Sequence, residues 1–241
     1  MPELLPLAIA AAAATVGGFV RGYSGFAGPM IMLPVLTILF GPVSAVVTIM
    51  LVDLSGNVVL IPDAARYASW RISLPLIFGT AVAMPFGSYL LLAADPAIMK
   101  PAIIVAVIVV SLCLLAGWRY HRPLGAPSLF GVGVVSGGFL SAAYIGAIVP
   151  LVLYAGPDAA PNSRANIIVW VFVGAILIAG AMIYGGAITE TELLRVAILA
   201  PFYIGSIYAG SRLFRFVDEA LFRRTVLIIL ICGSIVGVVF F

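Results

Sequence analysis

The chain has 241 residues, 64% of them hydrophobic and only 9% charged, with a mean hydropathy of +1.26. Soluble globular domains carry roughly 25% charged residues, so the composition excludes a water-solvated globule and predicts an all-α protein embedded in a lipid bilayer. The net charge of +3 fits basic loops that fix membrane orientation rather than a nucleic-acid partner.

In chain order, Gly, Pro and charge clusters divide the sequence into ten apolar segments: 4–20, 28–40, 43–62, 72–93, 97–118, 128–142, 145–155, 165–184, 193–211 and 220–241. The N-terminal run MPELLPLAIAAAAATVGG has an apolar core but no basic start, with Glu3 in its place. It is expected to be a retained membrane helix, not a cleaved signal. A membrane-crossing helix needs about 20 residues. Segments 28–40 and 145–155 fall well short, and their predecessors 4–20 and 128–142 are also short. Each half is therefore expected to open with two abbreviated or re-entrant helices followed by three full ones. Cys113 and Cys232 each lie within an apolar run and are expected to behave as small buried hydrophobes.

The halves share landmarks in order. GGF at 17–19 recurs at 137–139, GP at 41–42 recurs at 156–157, and Pro75 with Gly79 matches Pro201 with Gly205. Gly87 and Asp95 match Gly210 and Asp218, then Lys100 matches Arg223. This order predicts an internal duplication: a first repeat over 1–120, a cytoplasmic loop over 121–127 and a second repeat over 128–241. Arg66, Arg71, Arg119, Arg122, Arg164, Arg212, Arg215, Arg223 and Arg224 all fall on one side of the predicted topology, against Lys100 and Arg195 on the other. The crowded side is expected to be cytoplasmic and both termini periplasmic, in a bacterial-type inner membrane. Five segments per unit make the second repeat enter from the opposite face. The duplication is then inverted, an architecture typical of secondary transporters.

Residues 17–34, GGFVRGYSGFAGPMIMLP, interrupt the apolar chain with five glycines, an arginine and two prolines. Amides at a helix start have no internal partner and carry partial positive charge. Gly22, Gly25 and Gly28 would let a ligand approach the backbone, Pro29 suits a first helical turn, and Tyr23 and Ser24 add hydroxyls. The segment reads as an anion-binding break, weighed against close packing of helices through small residues. The second half repeats the pattern in GGFLSAAYIGAIVP, with Ser141, Tyr144 and Gly146. Arg21 either holds the anion or extends to the cytoplasmic interface.

These stretches resemble the sulfite exporter TauE/SafE family of small membrane transporters, whose hallmark is a Gly-rich run, G-x-x-G-x-G-G, followed by apolar residues and proline near the start of each repeat. Gly22, Gly25, Gly28 and Pro34 fit the first copy, with Ala27 where glycine is common. Gly138, Ser141, Gly146 and Pro150 fit the second, with Ala142 and Ala147 in place of glycines. The resemblance spans the chain in length, duplication and hydropathy. It implies transport of small sulfur-containing anions: sulfite, or sulfonates such as sulfoacetate, isethionate and taurine-related compounds.

Asp53 lies about 16 Å along its helix from Pro42 at 1.5 Å per residue, near the expected midplane, where an ionisable side chain is a functional candidate. It is read as a proton-carrying coupling residue or the counter-charge of Arg21, against a helix–helix hydrogen bond. Asn57 shares its face. PNSRANIIVW opens segment eight; Arg164 and Asn166 there either line a cytoplasmic vestibule or belong to ordinary capping. Trp70, Trp118 and Trp170 read as interfacial anchors. Tyr203 and Tyr208 are unranked cavity candidates. No nucleotide motif, metal cluster or cofactor site is expected, and a membrane enzyme is disfavoured because the one histidine, His121, sits in the inter-repeat loop. The partners expected are a small anion and lipid, with a homodimer left open. The reading is a secondary transporter that binds its anion between the broken helices. A passive small-anion channel is the alternative.

Overall fold

The computed structural model describes residues 4–93, 95, 105 and 120–214. Segments 97–118 and 220–241, with Trp118, Lys100 and the arginines beyond 214, lie outside the described residues, Val105 excepted. Eight helices follow in order: α1 (Leu4–Ser24), α2 (Gly28–Phe40), α3 (Pro42–Tyr67), α4 (Trp70–Ala93), α5 (Ala126–Ala143), α6 (Ile148–Ala155), α7 (Ala160–Tyr184) and α8 (Glu190–Phe214). No strand occurs among them. Prolines in the first turns of α2, α3, α5 and α7 cost nothing there, because those amides lack an intrahelical acceptor in any case. All but α2 and α6 are long and apolar enough to cross a bilayer. Phe78, Val82 and Phe86, spaced four apart on α4, are exposed, a face suited to lipid chains rather than water. The protein is a multi-pass membrane protein.

Two expected boundaries need correction. The opening helix of each half is not abbreviated: α1 has 21 residues and α5 has 18. Only α2 and α6 are short, at 13 and 8 residues. Gly17, Gly18 and Gly22 do not break α1, because another helix occupies the space their side chains would fill. A Cβ on Gly22 would stand 2.1 Å from the Ile207 carbonyl oxygen of α8, and one on Gly210 of α8 would stand 2.0 Å from that of Phe19. The α4–α5 seam is built the same way. A Cβ on Gly79 would meet the Phe130 oxygen at 2.3 Å, and one on Gly133 would meet that of Leu76 at 2.4 Å. In lipid, where apolar burial drives little association between helices, such close backbone contact supplies the cohesion.

The same contacts fix helix direction. Gly18 faces Tyr203 while Gly22 faces Ile207, so α1 and α8 run parallel. Ser44 bonds to Glu192 while Asp53 bonds to Tyr203, so α3 runs with them. Leu76 faces Gly133 while Thr80 faces Gly137, and Ser73 bonds to Asn166 while Trp170 bonds to Thr80. Hence α4, α5 and α7 form a second parallel set. The two-residue turn between α3 and α4 reverses the chain from one set to the other. Gly28 and Met32 both pack on Gly17, so α2 returns along α1. Ala155, at the end of α6, accepts a bond from the Tyr120 amide at 3.0 Å, which brings that short helix back to where the second half begins.

Gly22→Ala is expected to overpack the α1–α8 seam and lower stability by about 1–3 kcal/mol. Gly180→Ala, with no atom within 4 Å of its added Cβ, is expected to be neutral or stabilising by up to about 1 kcal/mol through helix propensity. Thermal unfolding in detergent checks the pair, and equal losses would contradict the seam.

Candidate functional site

Arg21 and Asp53 are both buried, the former in the last turn of α1 and the latter midway along α3. Arg21 Nε donates to Asp53 Oδ1 at 2.7 Å, and Nη2 donates to Asp53 Oδ2 at 3.4 Å and to Asn57 Oδ1 at 3.1 Å. Asn57 Nδ2 donates to the Asp53 carbonyl at 2.9 Å, which holds the amide oxygen toward the guanidinium. Tyr203 of α8 donates to Asp53 Oδ1 at 2.7 Å, and Tyr144 donates to Oδ2 at 3.2 Å. Each carboxylate oxygen thus accepts two bonds, which fills its capacity. Arg21 is less satisfied. Its Nη1 is buried and has no hydrogen-bond partner among the described residues.

Tyr144 ends α5 in a left-handed conformation (φ 55°, ψ 31°), which costs a bulky residue on the order of 1–3 kcal/mol. Its hydroxyl is thereby carried from the interruption between α5 and α6 to the carboxylate on α3. The first interruption lies close by. Tyr154 of α6 donates to the Ser24 carbonyl at 2.8 Å, and its ring lies 6.3 Å from that of Phe26. The two interrupted pairs therefore meet around one ion pair.

Other expected residues are placed differently. Arg21, Gly22, Tyr23 and Ser24 belong to the helix, so the first break is only residues 25–27. Gly22 serves the α1–α8 seam. The Ser24 hydroxyl donates to the Val20 carbonyl at 2.7 Å and accepts the Phe26 and Ala27 amides at 3.3 and 3.0 Å; it caps the break from within. Gly25 adopts φ 87°, and a Cβ there would stand 2.9 Å from Arg164 Cγ. Gly28 begins α2 against the Gly17 carbonyl. Ser141 bonds back to Gly137 at 2.7 Å on its own helix, while Gly146 lies in the second break beside Leu140 and Trp170. Asn166 Oδ1 accepts the Ser69 amide at 2.7 Å and the Ser73 hydroxyl at 3.1 Å, so it caps the start of α4 across helices. Trp170 is no interfacial anchor. It is fully buried and donates to Thr80 at 2.8 Å. Arg21 does not reach for the interface either, being wholly buried.

Arg164 donates to the Gly22 carbonyl, one residue from Arg21, and lies 4.4 Å over the Phe214 ring. It lines a cavity of about 520 Å³ whose wall includes Asp63, Arg66, Tyr67, Ser211 and Phe214, at the α3 and α8 C-termini. The opposite ends of these helices are tied together. Ser44 donates to Glu192 Oε1 at 2.7 Å and accepts from Arg195 Nη1 at 2.6 Å, while the Arg195 guanidinium lies 4.0 Å over the Phe40 ring.

Ser44, Glu192 and Arg195 carry no mark of a joint role in the sequence, since Ser44 lies far along the chain from the other two. Tyr203, one of the two tyrosines of segment 193–211 expected at a cavity, reaches Asp53, while Tyr208 is half exposed and meets Arg212.

No curated protein and no solved structure matches the chain. The model of the family described as Sulfite exporter TauE/SafE does match, over residues 9–237, nearly the whole chain including both interrupted helix pairs, and the protein belongs to this family of membrane transporters.

Proposed function

We propose that the protein is a secondary carrier of small sulfur-containing anions, sulfite or an organosulfonate, held where the two interrupted helix pairs converge. The observation that carries this reading is the Arg21–Asp53 pair: a guanidinium buried between the halves, with one nitrogen lacking an acceptor. Buried donors normally find a partner, and an oxyanion oxygen is the acceptor that membrane transport of this class would bring. Asn57, Tyr144 and Tyr203 supply polar groups next to it, and Asp53 is the coupling residue. Gly25, Gly28 and Gly146 keep the breaks slender where the anion passes. Membership of the family supports the substrate class.

The two halves are read as inverted repeats. Exchanging them maps the α1–α8 seam onto the α4–α5 seam, with each pair parallel and the two pairs opposed. That relation is what a pseudo-two-fold axis in the membrane plane requires. Arg66, Arg71, Arg122, Arg164 and Arg212 cluster toward one end, which is taken as cytoplasmic, with both chain termini periplasmic in a bacterial-type inner membrane. On this reading the 520 Å³ cavity opens to the cytoplasm and Arg164 draws anions into it. The Ser44–Glu192–Arg195 cluster ties α3 to α8 at the periplasmic end. A cavity at one end and helices tied together at the other favour a carrier over a passive channel.

The functional test is counterflow in proteoliposomes. Sulfite, sulfoacetate or isethionate trapped inside is expected to accelerate uptake of the labelled anion and to saturate with concentration. Large single-channel currents without counterflow would contradict a carrier.

Orientation is tested separately. In a background lacking Cys113 and Cys232, Ser211→Cys at the cavity wall is expected to react with a membrane-impermeant maleimide applied from the cytoplasmic face. Labelling from the periplasmic face alone would reverse the topology.

A further inference from the structure

The ion pair is neutral as a unit, and this constrains what can join it. Arg21 brings one positive charge and Asp53 one negative, both wholly buried, 2.7 Å apart. Four donors surround Asp53: Arg21 Nε, Arg21 Nη2, Tyr203 and Tyr144. They give each carboxylate oxygen two hydrogen bonds while the site is empty. Among the described residues no second cation pairs with Asp53 or offsets an added charge. Tyr144, Tyr203 and Asn57 are neutral donors. Helix α2 brings no titratable residue, Arg164 of α7 is held at the Gly22 carbonyl, and Arg195 and Glu192 are engaged with Ser44 at the far end of α8.

A monovalent anion arriving at Arg21 Nη1 would leave this pocket with a net charge of −1. An uncompensated buried charge costs several kcal/mol, more than one charge-assisted hydrogen bond returns. Among the described residues at the pair, the group able to remove that charge is Asp53, by taking a proton.

Resting on the carrier reading above, we propose that the anion and a proton bind together: one oxyanion oxygen accepts from Arg21 Nη1 while the Asp53 carboxylate takes one proton from water. The carboxylate of the empty site is then a built-in stand-in for the substrate, sharing the guanidinium until a transported anion displaces part of that interaction. The protonated Asp53 accepts fewer hydrogen bonds, so Tyr144 and Tyr203 gain freedom to donate to the anion. Empty and loaded sites are both electrically neutral. The carrier can therefore reorient in either state without moving net charge through the membrane field, and one proton travels with each monovalent anion.

Isethionate is the suitable probe, because its sulfonate stays ionised at every working pH and any pH dependence belongs to the protein. One proton taken up per anion makes the dissociation constant rise about tenfold per pH unit over the range of that uptake. Binding to purified protein, read by isothermal titration or thermal shift, is expected to weaken as pH rises, by up to about tenfold per pH unit. In proteoliposomes a pH gradient is expected to drive isethionate accumulation, and a potassium–valinomycin potential is not. Asp53→Asn is expected to bind isethionate with no pH slope. That variant strips Arg21 of its counter-charge and endangers the fold, so Tyr203→Phe is the second probe. It removes one donor from the carboxylate and is expected to keep the pH slope, because the proton-accepting carboxylate remains. A pH-independent dissociation constant in the wild type, or uptake driven by the potential and indifferent to the pH gradient, would overturn the proposal while leaving an anion carrier standing. Absence of isethionate, sulfoacetate and sulfite counterflow would remove the carrier reading and this inference together.

Discussion

A buried arginine–aspartate pair is the constraint on which the rest of the structure turns. Isolating either charge in a low-dielectric interior costs several kcal/mol, and their attraction repays this only with good geometry and further hydrogen bonds. The chain meets that condition by bringing four elements to one point: α1 with Arg21, α3 with Asp53 and Asn57, α8 with Tyr203, and the end of α5 with Tyr144. Two of these come from the first half and two from the second. The pair therefore locks the halves together through the same side chains that would meet a ligand. A transporter benefits from such economy, because whatever loosens the pair also loosens the interface between moving parts.

Glycine seams make this convergence reachable. Arg21 meets Asp53 because α1 lies against α8 at backbone contact distance, with Gly18, Gly22 and Gly210 leaving no side chain between them. The α4–α5 seam holds the other interrupted pair at the same close range. The left-handed turn at Tyr144 then delivers its hydroxyl across the gap between halves. Strain at that residue is tolerated because Asp53 fixes the hydroxyl at one end while the packed helix fixes the backbone at the other.

How much of this the sequence disclosed depended on the range of the interaction. The all-helical class and the eight described helices followed from hydropathy, which is local. Asp53 stood out because a carboxylate inside an apolar run must have a reason to be there, and its pairing with Arg21 was one of the readings weighed. The full extent of α1 is not legible locally, because glycine's helix cost is set by what packs against it, and α8 lies nearly two hundred residues away. Ser24 was read as a hydroxyl for the ligand, whereas its short side chain satisfies the amides of its own break. Asn166 and Trp170 likewise resolve into partners of Ser73 and Thr80, contacts that no local spacing encodes. Tyr203 was visible only as a tyrosine in an apolar helix until the register of α8 against α3 placed its hydroxyl on Asp53.

The central claim is that an oxyanion seats on the free side of the Arg21 guanidinium, between the two interrupted pairs. Selenite offers the most direct view, as a heavier relative of sulfite with strong anomalous scattering. In crystals of the protein grown with selenite, the account predicts an anomalous peak about 4 Å from Arg21 Nη1, a hydrogen-bonded oxyanion distance. Selenium found only beside Arg164 in the cavity, or nowhere near the ion pair, would contradict it.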